Sequence, residues 1–191
     1  PGPTVIPDNP TPLDPGTTIT DDDVPLAGAV GLNDVDHFAY IIGYDEDHVR
    51  PLNNITRAEV ATIFFRLMTD EYRNANWSTS NDFSDVQAGS WYNNAISTCA
   101  NAGALNGYAD GSFKPNASIT RAEFAAIAAR FLSDEYTDDG TGDFSDTANH
   151  WAAKEIRLAA KAGWVRGDGN KFRPNDPITR AEVMTLSLIH I

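Results

Sequence analysis

The tetrapeptide Thr-Arg-Ala-Glu occurs three times in this chain of 191 residues, and its repetition constrains the fold more than any other feature. The copies lie at residues 56–59, 120–123 and 179–182, and an isoleucine precedes each of them. A proline stands five residues before each threonine, with an apolar residue two positions before that proline. This register indicates an internally repeated architecture.

Each tetrapeptide predicts the first turn of an α-helix. Threonine at the N-cap can accept a hydrogen bond from the N3 amide, while the N3 glutamate bonds back to the N-cap amide in a capping box. The preceding isoleucine can pack against an apolar N4 residue, which is Val60, Phe124 or Val183. We therefore expect three capped helices, with polar exits from the first two at Asp70 and Asp134.

Capping does not explain the arginine at N1 of every copy. A cation in the first turn faces the positive end of the helix dipole, which costs about 0.3–1 kcal/mol when exposed. Arg57, Arg121 and Arg180 could pair with an acidic residue of a neighbouring repeat and fix the geometry between repeats. Alternatively, each could bind a carboxylate or phosphate of a ligand beside free amides at the helix N-terminus. We take ligand binding as the working prediction and keep pairing as the alternative.

A second motif precedes the capped helix in two copies. Phe-Ser-Asp at residues 83–85 and 144–146 is followed by an amphipathic pattern that starts at Trp91 or Trp151. Each pattern predicts a helix that ends at a glycine able to adopt the left-handed conformation, Gly103 or Gly163. Glycine- and aspartate-rich turns then lead to the capped helix. One repeat is thus helix, loop and capped helix, and the fold class is mainly all-α.

The repeats and the composition between them suggest four segments. Seven prolines in the first 30 residues indicate an extended linker that cannot bury enough apolar surface to fold alone. The predicted segments are a Pro/Thr-rich linker at 1–30, a first repeat at 31–75, a second at 76–138 and a third at 139–191. The first repeat is short, since no tryptophan-led helix precedes its capped helix.

The chain ends at residues 186–191 within the third capped helix, whereas the sequence of the other two copies continues for several residues beyond the matching position. They also match an in-frame translation of a transposase mosaic end used to prepare sequencing libraries. We therefore interpret the third repeat as truncated and treat these six residues as a hypothetical sequencing artefact.

Charge limits the partners of the chain. Fourteen basic and 27 acidic residues give a net charge of −13, which repels nucleic acid and anionic lipid at long range. An anionic glycan is not excluded, because salt screens repulsion beyond about 8 Å and local arginines act within that distance. No stretch approaches the roughly 18 consecutive apolar residues of a membrane span. We expect no nucleic acid partner and no membrane span.

The sequence shows no recognisable catalytic constellation. Its four histidines do not recur at matching repeat positions, and neither Gly-x-Ser-x-Gly nor His-Glu-x-x-His is present. Cys99 lies in an apolar helical pattern and is expected to be buried. We therefore predict no enzyme activity and no cofactor.

Acidic runs at residues 45–47 and 138–143 raise the alternative of a calcium-binding module. Neither run follows the spacing of an EF-hand loop with its closing glutamate. We interpret both as solvated acidic loops and predict no metal site.

The second copy combines Phe-Ser-Asp-Val, a tryptophan-led helix, Gly-Tyr-Ala-Asp-Gly-Ser-Phe-Lys-Pro and Ile-Thr-Arg-Ala-Glu, and this combination resembles the S-layer homology domain. The resemblance covers about residues 32–185. It implies a compact, pseudo-three-fold arrangement of three helix-loop-helix repeats, with grooves between neighbours that bind secondary cell wall polymers bearing pyruvylated amino sugars. The ligand-binding residues that it implies are Arg57, Arg121, Arg180, Asp85, Trp91, Gly107, Asp146, Trp151 and Gly167.

The function implied by this resemblance is non-covalent anchoring of a secreted surface protein to a Gram-positive cell wall. The partner would be an anionic polysaccharide linked to peptidoglycan, the location the cell surface or S-layer, and the cargo an upstream domain. Two working grooves are expected rather than three, since the first repeat lacks its first helix. The alternative is a structural module for protein–protein contacts or an S-layer lattice that binds no glycan.

Overall fold

The computed structural model describes residues 30–33, 49–142 and 144–188. Within these ranges the chain is helical, and strand pairing is limited to isolated bridges, which confirms the mainly all-α class. The helices are α1 (Arg57–Leu67), α2 (Asp70–Ala75), α3 (Asn93–Asn101), α4 (Arg121–Ala129), α5 (Ala153–Lys161) and α6 (Arg180–Leu188). The predicted linker before residue 30, the acidic run at 45–47 and residues 189–191 lie outside the described residues, as does most of the first repeat before α1.

The three tetrapeptides begin α1, α4 and α6, as predicted. Capping boxes join Thr56 to Glu59 and Thr120 to Glu123. The third copy has the same bonds, since the Thr179 amide donates to Glu182 Oε2 at 2.9 Å and the Glu182 amide donates to Thr179 Oγ1 at 3.3 Å. The isoleucines at N′ and the apolar residues at N4 are buried in all three copies.

The tryptophan-led patterns form α3 and α5, each beginning two residues after its tryptophan. No side-chain cap opens either helix. Gly103 and Gly163 follow their C-caps with φ of 72° and 79°, so the predicted left-handed stops are confirmed.

The chain after α1 differs from the sequence prediction. Asp70 does not begin a polar loop after α1 but is the first residue of a further short helix, α2. Met68 takes an extended conformation that ends α1, and Thr69 then caps α2 by accepting a hydrogen bond from the Tyr72 amide at 3.1 Å. The acidic run alone is typical of a polar loop after a helix. The prediction missed α2 because it did not consider Thr69 as an N-cap two residues after the end of α1.

One hydrophobic core holds the helices together, with α1 packed against α3 and α4 packed against α5. The ring of Phe64 lies 5.1 Å from that of Phe131, 5.8 Å from Phe124 and 6.0 Å from Trp164. Cys99 is buried in this core, as predicted, and burial raises the pKa of its thiol. Rings from distant parts of the sequence therefore share one interior.

Backbone hydrogen bonds join the residues that precede the three N-caps. The Ile55 amide donates to the Ile178 carbonyl, the Ile119 amide to the Ile55 carbonyl and the Ile178 amide to the Ile119 carbonyl, each at 3.1 Å. These three bonds form a closed cycle, so the starts of α1, α4 and α6 meet at one place in the fold.

Candidate functional site

The N1 arginines are buried and fully engaged with other parts of the chain. Arg57 at the start of α1 donates from Nε to the Phe113 carbonyl at 2.7 Å and from Nη2 to the Asn106 carbonyl at 3.1 Å. Its Nη1 donates to Glu123 Oε1 at 2.9 Å, and its guanidinium carbon lies 4.7 Å from the Tyr108 ring centroid and 4.6 Å from that of Phe113. Arg57 therefore fastens α1 to the loop and to the capped helix of the second copy.

The other two arginines repeat this arrangement. Arg121 Nη1 donates to Glu182 Oε1 at 2.6 Å, and Arg180 Nη1 donates to Glu59 Oε1 at 2.7 Å. Their Nε atoms also donate to backbone carbonyls, those of Phe172 and Val49. The pairing that the sequence offered as an alternative is thus present in all three copies.

The glutamate of each capping box serves two partners at once. Oε2 of Glu123 accepts from its own N-cap amide, whereas Oε1 accepts from Arg57 and, at 2.7 Å, from the hydroxyl of Tyr108. Burial raises the pKa of Glu123, but the hydrogen bonds from Thr120 and Tyr108 and the charge of Arg57 outweigh it and hold that pKa below its ordinary value. The carboxylate is therefore charged at neutral pH, and both of its oxygens accept hydrogen bonds from the protein.

The N-termini of the three capped helices, α1, α4 and α6, do not offer free amides at N1 to N3. The N1 amide of Arg121 donates to the Asp176 carbonyl and the N2 amide of Ala122 to the Pro174 carbonyl, and α1 and α6 have the same kind of bonds. The N3 amides bond to the threonine side chains. The expectation of free amides beside the arginines was wrong, because the neighbouring proline-containing loop occupies them.

Asp85 and Asp146, from the two Phe-Ser-Asp motifs, hold the loops that precede α4 and α6. Asp85 accepts from the backbone amides of Phe113 and Lys114 at 2.7 and 2.8 Å, and Asp146 makes the matching pair of bonds. Lys114 has a φ of 56°, in the left-handed region that non-glycine residues rarely occupy. Both carboxylates therefore stabilise an unusual loop conformation.

Gly107 and Gly167 lie where a side chain has no room. A Cβ at Gly107 would approach the Phe83 ring to 2.5 Å, and one at Gly167 would approach the Phe144 ring to 2.2 Å. Each glycine thus allows an aromatic ring of the Phe-Ser-Asp motif to pack directly on the loop backbone.

The two tryptophans have different surroundings, although they occupy the same motif position. Trp91 is partly buried against the core and contacts Tyr92 edge to face, with 5.3 Å between ring centroids. Trp151 is 64% exposed. Its exposed indole offers a flat apolar face on which a ligand could stack.

Trp151 lies in a groove with a volume of about 420 Å³, which we name the Tyr108–Trp151 groove. Three predicted site residues, Arg57, Gly107 and Trp151, line it together. Tyr108 and the exposed Arg130 also line the groove, although the sequence analysis did not assign them to a site. The tyrosine stands inside the Gly-Tyr-Ala-Asp-Gly motif, but nothing in the sequence pattern indicated the arginine.

A second groove of about 320 Å³ brings together two more predicted residues, Arg121 and Gly167. It lacks a counterpart of Tyr108, because Asp168 follows the glycine in this copy. Its capping glutamate Glu182 is accordingly more exposed than Glu123, 35% against 18%. Burial lowers the pKa of Arg121, although the charge of Glu182 opposes that shift. The remaining predicted residues described by the structure line neither groove: Arg180, Asp85, Trp91 and Asp146.

The described part of the chain contains no cluster of three or more His, Cys, Asp or Glu residues arranged to hold a metal ion. Among the helices of that part, none has the length and apolar character needed to cross a membrane. The acidic residues Asp138 and Asp139 are instead paired with Arg157 and Lys161.

The fold and the grooves define a helical repeat protein in which the copies interlock through their capping motifs. Residues 82–125 and 143–184 each match the family model of the S-layer homology domain. These two segments are therefore S-layer homology domain repeats, as their motifs indicated.

Curated relatives agree with this family. The chain is 35% identical over 170 residues to a cellulosome-anchoring protein of Acetivibrio thermocellus, covering 86% of this chain and 37% of that protein. It is 32% identical over 185 residues to the surface-layer 125 kDa protein of Lysinibacillus sphaericus, covering 83% and 15% respectively. A 102-residue match at 40% identity to endo-1,4-beta-xylanase A of Thermoanaerobacterium saccharolyticum covers 53% of the chain and 9% of that enzyme.

The chain thus spans well under half the length of these relatives. Two of them are named as anchoring or surface-layer proteins. Together with the family match, they confirm the predicted location at the cell wall surface.

Proposed function

We propose that this chain is a non-catalytic anchor that holds a larger surface protein to the cell wall by binding an anionic secondary cell wall polysaccharide. The observation that carries the proposal is the exposed indole of Trp151, which lines one groove together with Tyr108, Arg57 and Arg130. The name of the cellulosome-anchoring relative agrees with the anchoring role. The presence of related segments in a xylanase fits a module that is attached to different cargo.

The aromatic walls of the Tyr108–Trp151 groove suit a sugar ring. Stacking on an indole or phenol ring buries the apolar face of a sugar, while its hydroxyls stay available for hydrogen bonds. Asn106 and Asn175 line the same groove and supply amide donors and acceptors. The tyrosine ring is already held in place, since its hydroxyl donates to Glu123 and the Arg57 guanidinium lies 4.7 Å from its centroid. Sugar binding would therefore need little rearrangement of this wall.

The cations around the groove favour an acidic sugar. Arg130 is exposed at the C-terminus of α4 and lines the groove, and the Nζ of Lys114 lies 4.2 Å from the centroid of the Tyr108 ring. A carboxylate on a pyruvylated amino sugar would meet these charges at close range, where the net charge of −13 is largely screened. We infer that Arg130 takes the direct ionic contact, and that Arg57 and Arg121 lie at the base of the two grooves.

The closed cycle of isoleucine hydrogen bonds and the repeated Arg–Glu pairs support a pseudo-three-fold arrangement of three repeats at 31–75, 76–138 and 139–191. Trp151 of the third repeat lines one groove with Gly107 and Tyr108 from the loop of the second. Asp85, Asp146, Gly107 and Gly167 would shape the loops rather than touch the sugar.

The proposal is tested by sedimenting the purified chain with Gram-positive cell walls, before and after removal of the secondary polysaccharide. The variant is Trp151→Ala, because the indole is exposed and its removal leaves the core intact. We expect wild type to sediment with intact walls and to stay in solution with stripped walls. Trp151→Ala should bind intact walls about tenfold more weakly, as expected for loss of one stacked ring.

Two controls accompany this measurement. Trp151→Phe keeps an aromatic face and should retain most of the binding, and Leu52→Ala changes an exposed apolar residue that does not line this groove. Equal sedimentation with intact and stripped walls would contradict glycan binding and favour a protein-interaction module.

A further inference from the structure

A second cavity, of about 340 Å³, lies beside the Tyr108–Trp151 groove and is lined mainly by uncharged polar residues. We name it the Ser78–Asn101 cavity. Hydroxyl and amide groups dominate its lining, contributed by Ser78, Ser80, Asn81, Ser97 and Asn101. Its charged lining residue, Asp82, is an exposed acid that would repel an anionic group. The cavity therefore suits a neutral, hydroxyl-rich ligand.

The polar groups of the cavity are held in place by hydrogen bonds to each other. Asn81 Nδ2 donates to Ser97 Oγ at 2.8 Å and to Asn93 Oδ1 at 3.2 Å, and Asn93 Nδ2 donates to the Thr79 carbonyl at 2.8 Å. Ser78 donates from Oγ to the Ser80 carbonyl at 2.8 Å. The network uses both Nδ2 protons of Asn81 and the Ser78 hydroxyl proton, so it orients these side chains before a ligand arrives and leaves mainly oxygen acceptors for sugar hydroxyls.

The matching place in the third copy has a different chemistry. Counting from the two tryptophans, Ser97 and Asn101 of α3 correspond to Arg157 and Lys161 of α5. These residues pair with Asp138 at 2.7 Å and Asp139 at 2.5 Å. Ion pairs fasten the loop to the helix there, whereas hydroxyls and amides line an open cavity in the second copy.

The cavity and the groove share one wall. Leu105, Asn106 and Gly107 line both of them, so only a three-residue segment separates the two. The segment carries no side chain at Gly107, where the Phe83 ring packs against the backbone. Because only this segment separates the cavity from the groove, neighbouring sugars of one polymer could occupy both.

We propose that the Ser78–Asn101 cavity is a second saccharide subsite, which binds an uncharged sugar next to the acidic sugar held in the Tyr108–Trp151 groove. This inference rests on the proposed function of that groove. It assigns two chemistries to one polymer: stacking and positive charge for the acidic residue, and hydroxyl and amide hydrogen bonds for its neutral neighbour. The chain would then recognise a sequence of sugars rather than one sugar.

The test compares two probes made from wall polysaccharide released from Gram-positive walls: a single repeating unit and a fragment of two or three units. Affinities are measured by titration calorimetry with the whole chain. Asn101→Leu places an apolar side chain at the exposed rim of the cavity, and Ser80→Ala removes one hydroxyl there. Lys161→Leu, at the matching position of α5, is the control for a leucine at this helix end.

We expect wild type to bind the longer fragment about tenfold more tightly than the single unit, the gain that one or two net hydrogen bonds provide. Asn101→Leu should lose this gain yet bind the single unit like wild type, with a smaller loss for Ser80→Ala and none for Lys161→Leu. Trp151→Ala should weaken binding of both probes. Wild-type-like preference for the longer fragment in Asn101→Leu would overturn the second subsite but leave the groove intact. Failure of wild type to bind either probe would overturn both proposals.

Discussion

Nη1 of Arg57 lies 2.9 Å from Oε1 of Glu123, although the two residues are 66 positions apart in the sequence. The glutamate caps its own helix with its other oxygen, so the arginine of one tetrapeptide completes the capping motif of the next. Arg121 with Glu182 and Arg180 with Glu59 repeat the relationship and close it into a ring. Each tetrapeptide thus caps its own helix and also bonds to the tetrapeptide of another copy.

Arg57→Ala should lower the free energy of unfolding by about 3 kcal/mol. The substitution leaves the Glu123 carboxylate without its cation in a mostly buried place, and it leaves the Phe113 carbonyl without the Nε donor. The measurement is urea-induced unfolding followed by circular dichroism. Arg50→Ala, an exposed arginine a few residues earlier, is the control and should cost well under 1 kcal/mol.

A double-mutant cycle with Glu123→Gln isolates the pair itself. If the two side chains interact, the double variant should lose at least about 1 kcal/mol less than the sum of the single losses. Additive losses would show that the capping and carbonyl bonds, rather than the ion pair, account for the destabilisation. The cycle also bears on binding studies, since wall binding lost in an arginine-to-alanine variant would report unfolding before it reported contact with a glycan.

The local parts of this fold could be predicted from the sequence because their partners are close in the chain. Thr56 and Glu59 bond across three residues, and Gly103 stops α3 through its own backbone conformation. The partner of Arg57 could not be predicted, because the acceptor on Glu123 is brought near by tertiary packing. Sequence reasoning left pairing and ligand binding open at that point, and only the three-dimensional contacts distinguish them.

The candidate site was predictable in part for the same reason. Motif matching identified Trp151 and Gly107, which line one groove, but it gave Trp91 and Trp151 equal status. Their exposure differs because of their tertiary surroundings: Trp91 packs against the core beside Tyr92, whereas Trp151 contacts His150 and remains 64% exposed. Which tryptophan faces solvent depends on such neighbours and not on the motif.

Acidification should weaken the fold below about pH 4.5. Hydrogen bonds from the backbone and side chain of Thr179, with the charge of Arg121, outweigh burial and hold the pKa of Glu182 below its ordinary value of 4.5, and Glu123 is shifted in the same direction. A carboxyl with a depressed folded-state pKa contributes stability that is present above the unfolded pKa and lost as the pH falls through the folded one. Urea unfolding between pH 7 and 3 measures this loss.

Glu123→Gln tests which carboxylates cause the acid sensitivity. The variant should be less stable than wild type at pH 7, and the difference should shrink as the pH approaches 3. Glu135→Gln removes the same charge from an exposed position. Its free energy of unfolding should change with pH in parallel with that of wild type. Some sensitivity should remain in both variants, since Arg157 also holds the pKa of Asp138 at about 2. A Glu123→Gln curve parallel to wild type would contradict the assignment.

Gly107→Ala should destabilise the chain by about 1–3 kcal/mol through a steric clash. The new methyl group would lie 2.5 Å from the Phe83 ring and 2.8 Å from the Ser112 carbonyl oxygen, so the loop or the ring must move. Thermal unfolding measures the loss. Adding Phe83→Leu should recover part of it, because the ring contact is relieved while the backbone contact remains. No recovery would indicate that the backbone contact with Ser112 accounts for the whole effect.

Lys114→Gly should be more stable than Lys114→Ala by about 1 kcal/mol, which reverses the usual order of the two residues. Lys114 has a φ of 56°, and Asp85 keeps it there by accepting from its amide. Alanine retains the strain of a Cβ in the left-handed region, whereas glycine does not. Both variants lose the same contact of the ammonium with the Tyr108 ring, so their difference reports the backbone alone. The same pair of substitutions at Lys154, inside α5, should show alanine as the more stable. If alanine is also the more stable at position 114, the loop relaxes out of the left-handed conformation and Asp85 does not enforce it.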